Sequence, residues 1–177
     1  LAKLVRRPYT RERRELFKQR HSVAEDPKAS AIEFIGVWDT VDAVGLPLPG
    51  VAAFINTAID RFKFPDRALS PKVHRACHAL SIDDERQSFE PVLWDERKES
   101  TDRLKQVWYA GAHSNVGGRY PKQGMSIVPL YWMMANAAKS GLRFVAEDLE
   151  FYRTHQNVDD KLYNSRAGLS VYYRYKP

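Results

Sequence analysis

Two polar residues, Asp39 and His113, each follow a short apolar run and belong to residue types that carry out acid–base chemistry. Residues 31–37 lead into Asp39, and residues 105–112 lead directly into His113. Both runs are rich in β-branched, aromatic and small residues, which predicts two buried strands. An aspartate that fixes the tautomer of a histidine lets the other ring nitrogen take the proton of an attacking serine. The order of the two residues is that of the acid and the base in a Ser-Asp-His hydrolytic triad.

The residue types alone leave a structural alternative open for both positions. A carboxylate at the end of a strand more often caps a turn than takes part in catalysis, and a lone histidine is usually structural. If the two residues form a catalytic pair, they should lie at adjacent strand ends. The carboxylate and one ring nitrogen should then be about 2.6 to 3.2 Å apart.

The serine of such a triad is expected upstream of the acid, in a Gly-x-Ser-x-Gly turn between a strand and a helix. Ser22 and Ser30 are the serines before Asp39, and neither is flanked by glycine. Ser126 and Ser170 each lie two residues after a glycine but lack the second glycine. No serine of this sequence therefore has the context of a nucleophile.

Three longer phrases of the sequence are more specific than the single residues. They are residues 34–41 (FIGVWDTV), 78–91 (HALSIDDERQSFEP) and 106–121 (QVWYAGAHSNVGGRYP). In this order they resemble the catalytic domain of the type VI secretion phospholipase effectors and their α/β-hydrolase relatives. The resemblance implies a lipase-like α/β-hydrolase in which Asp39 is the acid and His113 is the base.

The resemblance also implies that the nucleophilic serine and the N-terminal strands of the domain lie before Leu1. Residues 1–177 would then be the C-terminal portion of a single catalytic domain of a carboxylic ester hydrolase that acts on a lipid or another ester. This portion alone is expected to be inactive. The chain departs from the family pattern at Asn115, where aspartate is frequent, and at Arg119, where glycine is usual.

The elements that must position these residues follow from periodicity. Helices are predicted over residues 49–62, 71–82, 126–140 and 146–155, and the apolar density of the third predicts that it is buried. Helices between buried strands favour the α/β class, with a mostly parallel sheet flanked by helices. By the resemblance, this is a partial α/β-hydrolase-like fold without its nucleophile turn.

Three further clusters have a structural and a functional interpretation. His74 and His78 are four residues apart on a predicted helix near Cys77, a spacing that suits zinc, but no third ligand is evident. Residues 83–86 (DDER) are interpreted as a helix end paired with its own arginine, or as a group that supports the site. Residues 132–134 (WMM) suit a core better than an acyl pocket. We therefore expect no metal and no cofactor.

The net charge of +6 arises in the first twenty residues, which contain eight basic and two acidic residues. Apolar residues between them predict a helix with a cationic face. The alternative function is thus a non-catalytic remnant or a binding module that contacts anionic lipid or a partner protein through this helix. No nucleic-acid-binding motif accompanies the charge, so nucleic acid is not expected.

Other sequence features restrict the cellular setting. The sequence has no apolar run of about 20 residues and no secretory signal, and its one cysteine forms no intrachain disulfide. These features predict a soluble protein, either cytoplasmic or exported by a route that needs no cleaved signal.

Overall fold

The computed structural model describes residues 12, 16–17, 19–20, 31–41, 67–86 and 89–167. The chain divides into two compact units, Leu1–Ala31 and Ile32–Pro177. Residues 12, 16–17 and 19–20 of the first unit are helical, and Leu16 and Phe17 are more than half exposed. The elements described below all belong to the second unit.

The described part of the second unit contains a three-stranded parallel sheet in the order β1-β2-β3. The strands are β1 (Ile32–Trp38), β2 (Val73–Ser81) and β3 (Leu104–Tyr109). Parallel pairing places Val37, His78 and Gln106 side by side across the sheet. Strands β1 and β3 confirm the strands predicted over residues 31–37 and 105–112, although β3 ends three residues earlier than predicted. The carboxyl ends of all three strands lie at one edge of the sheet, where ligand and catalytic groups gather in parallel sheets.

The helix predicted over residues 71–82 is wrong, because this segment forms β2. Both faces of this strand are covered, because neighbouring residues of a strand point to opposite faces and the fully buried residues include two adjacent pairs: Ala76 with Cys77, and Ala79 with Leu80. A central strand of this kind has no polar face and therefore no alternation, and periodicity cannot distinguish it from a buried helix. The spacing of His74 and His78 would suit zinc only on a helix, and this segment is a strand. His74 is exposed beside Glu33, whereas His78 is buried in the sheet.

In the part of the chain that the structure describes, three helices follow β3: α1 (His113–Gly117), α2 (Gly124–Lys139) and α3 (Ala146–His155). A short 3-10 helix, Glu96–Lys98, precedes β3. Helix α3 has the predicted bounds, and α2 begins two residues before the predicted start. The predicted buried character of α2 is confirmed, because Met133 packs with Cys77, Ala79 and Val116 in one core cluster.

Gly36 on β1 lets α2 approach the sheet closely. A β-carbon built at this position would lie 2.7 Å from the sulfur of Met133, a distance that side-chain carbons do not tolerate. Met133 and Met134 are buried, and Trp132 packs against the same cluster. The structural interpretation of residues 132–134 is therefore correct: they belong to the core between helix and sheet.

The helix predicted over residues 49–62 lies outside the described residues. Among the residues that the structure describes, no helix is long and apolar enough to cross a membrane. The described architecture is a parallel sheet with helices packed against it, which is the predicted α/β class.

Candidate active site

Three polar side chains meet at the carboxyl edge of the sheet, one from each strand end. Asp39 directly follows β1, Ser81 is the last residue of β2, and His113 lies four residues after β3. The Nδ1 atom of His113 is 2.7 Å from Oδ2 of Asp39, within the distance expected from the sequence. The two strand ends are not adjacent as predicted, because β2 lies between β1 and β3. Ser81, at the end of the intervening strand, therefore lies beside the carboxylate of Asp39.

The carboxylate of Asp39 is buried, with 1% of the residue exposed, and both of its oxygens accept hydrogen bonds. The backbone N–H of Ser81 donates to Oδ1 at 2.8 Å, and the hydroxyl of Ser81 donates to Oδ2 at 2.7 Å. Burial of a carboxylate without such partners costs several kcal/mol. The end of β2 thus satisfies the charge of Asp39 and fixes the plane in which its Oδ2 atom meets the histidine.

The backbone of Asp39 is also constrained, since its φ is 39° and lies in the left-handed region. This conformation costs a residue with a side chain about 1 to 2 kcal/mol. Two bonds to β2 hold it: the N–H of Asp39 donates to the carbonyl of Ala79 at 2.7 Å, and the N–H of Thr40 donates to Nε2 of His78 at 3.0 Å. The turn that presents the carboxylate is therefore secured on both sides of Asp39.

His113 is the first residue of α1, and its ring has two different environments. The Nδ1 atom faces Asp39, and the ring of Phe89 packs edge-on against the imidazole with the centroids 5.1 Å apart. None of the described residues forms a hydrogen bond with Nε2, and 31% of the side chain is exposed. One nitrogen is thus occupied by the carboxylate, while none of the described residues bonds the other.

Asp84 holds the backbone of His113. Its Oδ2 accepts the N–H of His113 at 3.0 Å, and the carboxylate also receives the guanidinium of Arg86. Burial opposes ionisation of Asp84, but the bonds from Arg86 and from the His113 amide outweigh it and lower the pKa of this carboxyl. The guanidinium in turn lies 3.5 Å from the centre of the Phe89 ring. The pairing of an acid with its own arginine is confirmed, although the segment follows a strand instead of ending a helix.

The turn before His113 depends on Gly111 and Asn115. Gly111 has a φ of 107°, and a β-carbon there would lie 2.4 Å from the β-carbon of Asn115. The Oδ1 atom of Asn115 accepts the N–H of Ala112, and its Nδ2 donates to the carbonyl of Lys161. A carboxylate could not donate this second bond. The departure from the family aspartate therefore suits the interior position of this side chain.

Arg119, the second departure, is exposed and has a φ of 93°. The glycine that is usual in the family adopts this backbone conformation without strain, whereas arginine does so at a cost.

The sequence analysis assigns Ser81 and His78 no role in this site, because it predicts a helix over residues 71–82 where the structure has β2. The available signal was the phrase HALS itself. If residues 73–81 are read as a buried strand parallel to the other two, Ser81 falls at its carboxyl end, beside Asp39.

Comparison with known proteins identifies a family for this chain. A family model described as "T6SS, Phospholipase effector Tle1-like, catalytic domain" matches residues 4–136, which include Asp39 and His113. No curated protein and no solved structure matches the chain. Since the matched segment spans more than half of the sequence, the chain belongs to the Tle1-like phospholipase effector catalytic-domain family of type VI secretion systems.

Proposed function

We propose that this chain supplies the acid and the base of a serine-dependent carboxylic ester hydrolase of the lipase or phospholipase type. The single observation that carries the proposal is the 2.7 Å contact between Nδ1 of His113 and a buried, fully bonded carboxylate of Asp39. A histidine held in this way has a fixed tautomer. The membership of the family supports a lipid ester as the substrate class.

In this mechanism Nδ1 of His113 keeps its proton and donates a hydrogen bond to Oδ2 of Asp39, so Nε2 is free to act as the base. Nε2 takes the proton of the serine hydroxyl while the serine oxygen forms a bond to the ester carbonyl carbon. The bond from that carbon to the leaving alcohol then breaks, and Nε2 returns the proton to the alcohol oxygen. A water molecule then attacks the carbonyl carbon of the acyl-serine while Nε2 takes its proton. The bond from that carbon to the serine oxygen breaks, Nε2 returns the proton to the serine, and the carboxylic acid product is released.

The nucleophile in this proposal is a serine that precedes Leu1 in a longer protein, in a Gly-x-Ser-x-Gly turn. Residues 1–177 are then the C-terminal portion of one α/β-hydrolase-like catalytic domain. Ser81 is unsuited to the role, because its hydroxyl donates to Asp39 and the residue is 4% exposed. The chain alone is accordingly expected to show no His113-dependent hydrolysis of a short activated ester. Turnover that disappears in His113→Ala would reveal a nucleophile within the chain.

The test of the proposed roles uses the longer protein with its upstream serine. His113→Ala should lower kcat by about a million-fold, and Asp39→Asn should lower it by about a thousand-fold or more. Asp42→Asn is the matched control, three residues further along the chain and outside the described residues. Circular dichroism establishes that each variant is folded. Near-normal hydrolysis in folded Asp39→Asn would refute the role of Asp39.

Peripheral contact with an anionic membrane is part of the same proposal. The eight basic residues among the first twenty support it, since each adds attraction to an anionic lipid surface. Sedimentation with vesicles of neutral lipid, with and without an anionic lipid, measures the contact. Binding in a protein that lacks any upstream serine turn would favour the alternative function, a non-catalytic binding module.

A further inference from the structure

His78 is a buried histidine on β2 that the mechanism above does not use. It is 1% exposed, and its ring packs edge-on against Trp94. In the sheet it lies between Val37 on β1 and Gln106 on β3. A polar ring at the centre of a sheet needs a partner for each nitrogen, and both partners are present.

The hydrogen bonds of His78 fix its protonation state. Nε2 accepts the backbone N–H of Thr40 at 3.0 Å, so it carries no proton. Nδ1 must then carry the proton of the neutral ring, and it faces Oε1 of Gln106 at 3.4 Å. Burial lowers the pKa of His78, which agrees with a neutral ring.

Gln106 is itself held in the orientation that this tautomer requires. Its Oε1 accepts the N–H of Trp94 at 2.9 Å, and its Nε2 donates to the carbonyl of Trp94 at 3.1 Å and to Glu96 at 2.9 Å. The amide therefore presents its oxygen, not its nitrogen, to the histidine. This chain of contacts runs from Trp94 through Gln106 and His78 to Thr40.

Thr40 is the residue after Asp39, so its N–H belongs to the peptide that determines the direction of the acid turn. On the other side, the N–H of Asp39 is bonded to Ala79 of the same strand. Between these two anchors Asp39 adopts a left-handed φ of 39°. Without the acceptor on His78, the N–H of Thr40 loses its bond to β2, and the backbone of this turn keeps only the bond from the N–H of Asp39 to Ala79 beside the side-chain bonds to Ser81.

We infer that His78 is a positioning residue that directs the Asp39 carboxylate toward Nδ1 of His113 by accepting the N–H of Thr40. This inference deepens the proposed function and rests on it for its catalytic meaning. It names a role for a residue that touches neither substrate nor the reacting atoms.

The first experiment is nuclear magnetic resonance on the ¹⁵N-labelled chain. A scalar coupling across the hydrogen bond should connect the amide nitrogen of Thr40 with Nε2 of His78, and its absence would overturn the inference. The proton on Nδ1 of His113 should give a far-downfield signal, because it is shared with a carboxylate. That signal is the reporter for the variants.

His78→Phe keeps a ring but removes the acceptor, and the downfield signal should be lost in a folded protein. His74→Phe is the matched control on the same strand, and it should keep the signal. Persistence of the signal in folded His78→Phe would show that His78 only fills the core.

If His78→Phe does not fold, the pair His78→Gln and His78→Asn decides. The side-chain oxygen of glutamine reaches about as far as Nε2, whereas that of asparagine falls short. The signal should persist with glutamine and vanish with asparagine, and the same result in both would overturn the inference. These readouts involve no hydrolysis, so a failure of the proposed function, seen as an active Asp39→Asn enzyme, is distinguishable from a failure of the positioning role.

Discussion

The tripeptide Asp-Glu-Arg occurs twice, at residues 84–86 and 95–97, and its aspartate and arginine form the same hydrogen bonds both times. In each copy the arginine backbone N–H and Nε donate to Oδ1 of the aspartate, at 3.1 and 2.9 Å in the first and 3.2 and 2.8 Å in the second. Nη2 donates to Oδ2 at 2.6 and 2.7 Å. The spacing of aspartate and arginine in this tripeptide therefore permits the same set of hydrogen bonds in both places.

The surroundings of the two turns differ. The side chains of Asp84 and Arg86 are 1% and 11% exposed, whereas those of Asp95 and Arg97 are 27% and 86% exposed. Asp84 also accepts the N–H of His113, while Asp95 caps the 3-10 helix. The same motif thus supports a candidate catalytic residue in one place and a surface turn in the other. The two turns differ in how deeply their side chains are buried and in the bond that Asp84 accepts from His113.

The largest expected difference between the two turns is in stability. Asp84→Ala removes a buried carboxylate that accepts bonds from Arg86 and from the N–H of His113, and breaking a buried pair costs about 3 kcal/mol or more. Asp95→Ala removes an exposed pair and should cost much less. Urea unfolding of both variants measures the free energies. Equal losses would show that the turn itself, and not its burial, determines the contribution.

A smaller effect is expected in how acid changes the free energy of unfolding through Asp84 of the inner turn. The pKa of Asp84 lies below the ordinary carboxyl value of 3.8, so the unfolded chain binds this proton more readily than the folded protein. The stability that the ionised group provides is present above about pH 3.8 and is lost as the pH falls through the folded pKa. Asp84→Asn should therefore flatten the decline of the unfolding free energy in this acid range. A decline in folded Asp84→Asn as steep as that of the wild type would contradict the assignment.

The smallest expected difference is in the effect of salt. Salt screens exposed charge pairs within a Debye length of about 10 Å at 0.1 M and affects buried pairs much less. Added sodium chloride should reduce the stability difference between wild type and Asp95→Ala but leave that of Asp84→Ala nearly constant. Urea unfolding at low and high salt gives both differences. A salt-sensitive Asp84→Ala difference would mean that water reaches the inner pair.

The sequence was informative where one local pattern dominates. Strands β1 and β3 and helices α2 and α3 were predicted because their apolar runs or spacing suit one type of element. The contact of Asp39 with His113 was predicted from their positions after two strands. The catalytic roles of these two residues remain predictions.

The sequence was misleading at β2, where burial on both faces removes the alternation of a strand. Val73, Cys77 and Leu80 happen to have helical spacing, and only the neighbouring strands decide between the two structures. The error concealed Ser81 and His78, whose roles depend on lying between β1 and β3. Contacts between residues about 40 positions apart, such as His78 with Thr40, have no local signature in the sequence.

The burial of α2 gives the protein an internal chemical reporter. The three methionines of the chain, Met125, Met133 and Met134, all lie on α2 and are 8%, 3% and 7% exposed. Peroxide oxidises a thioether that it can reach, and the sulfoxide is too polar for this core. The rate of Met133 oxidation, followed by mass spectrometry, should therefore rise with any change that separates α2 from the sheet. Because the sulfur of Met133 lies so close to Gly36, an oxygen added to it should weaken the packing of α2 on the sheet.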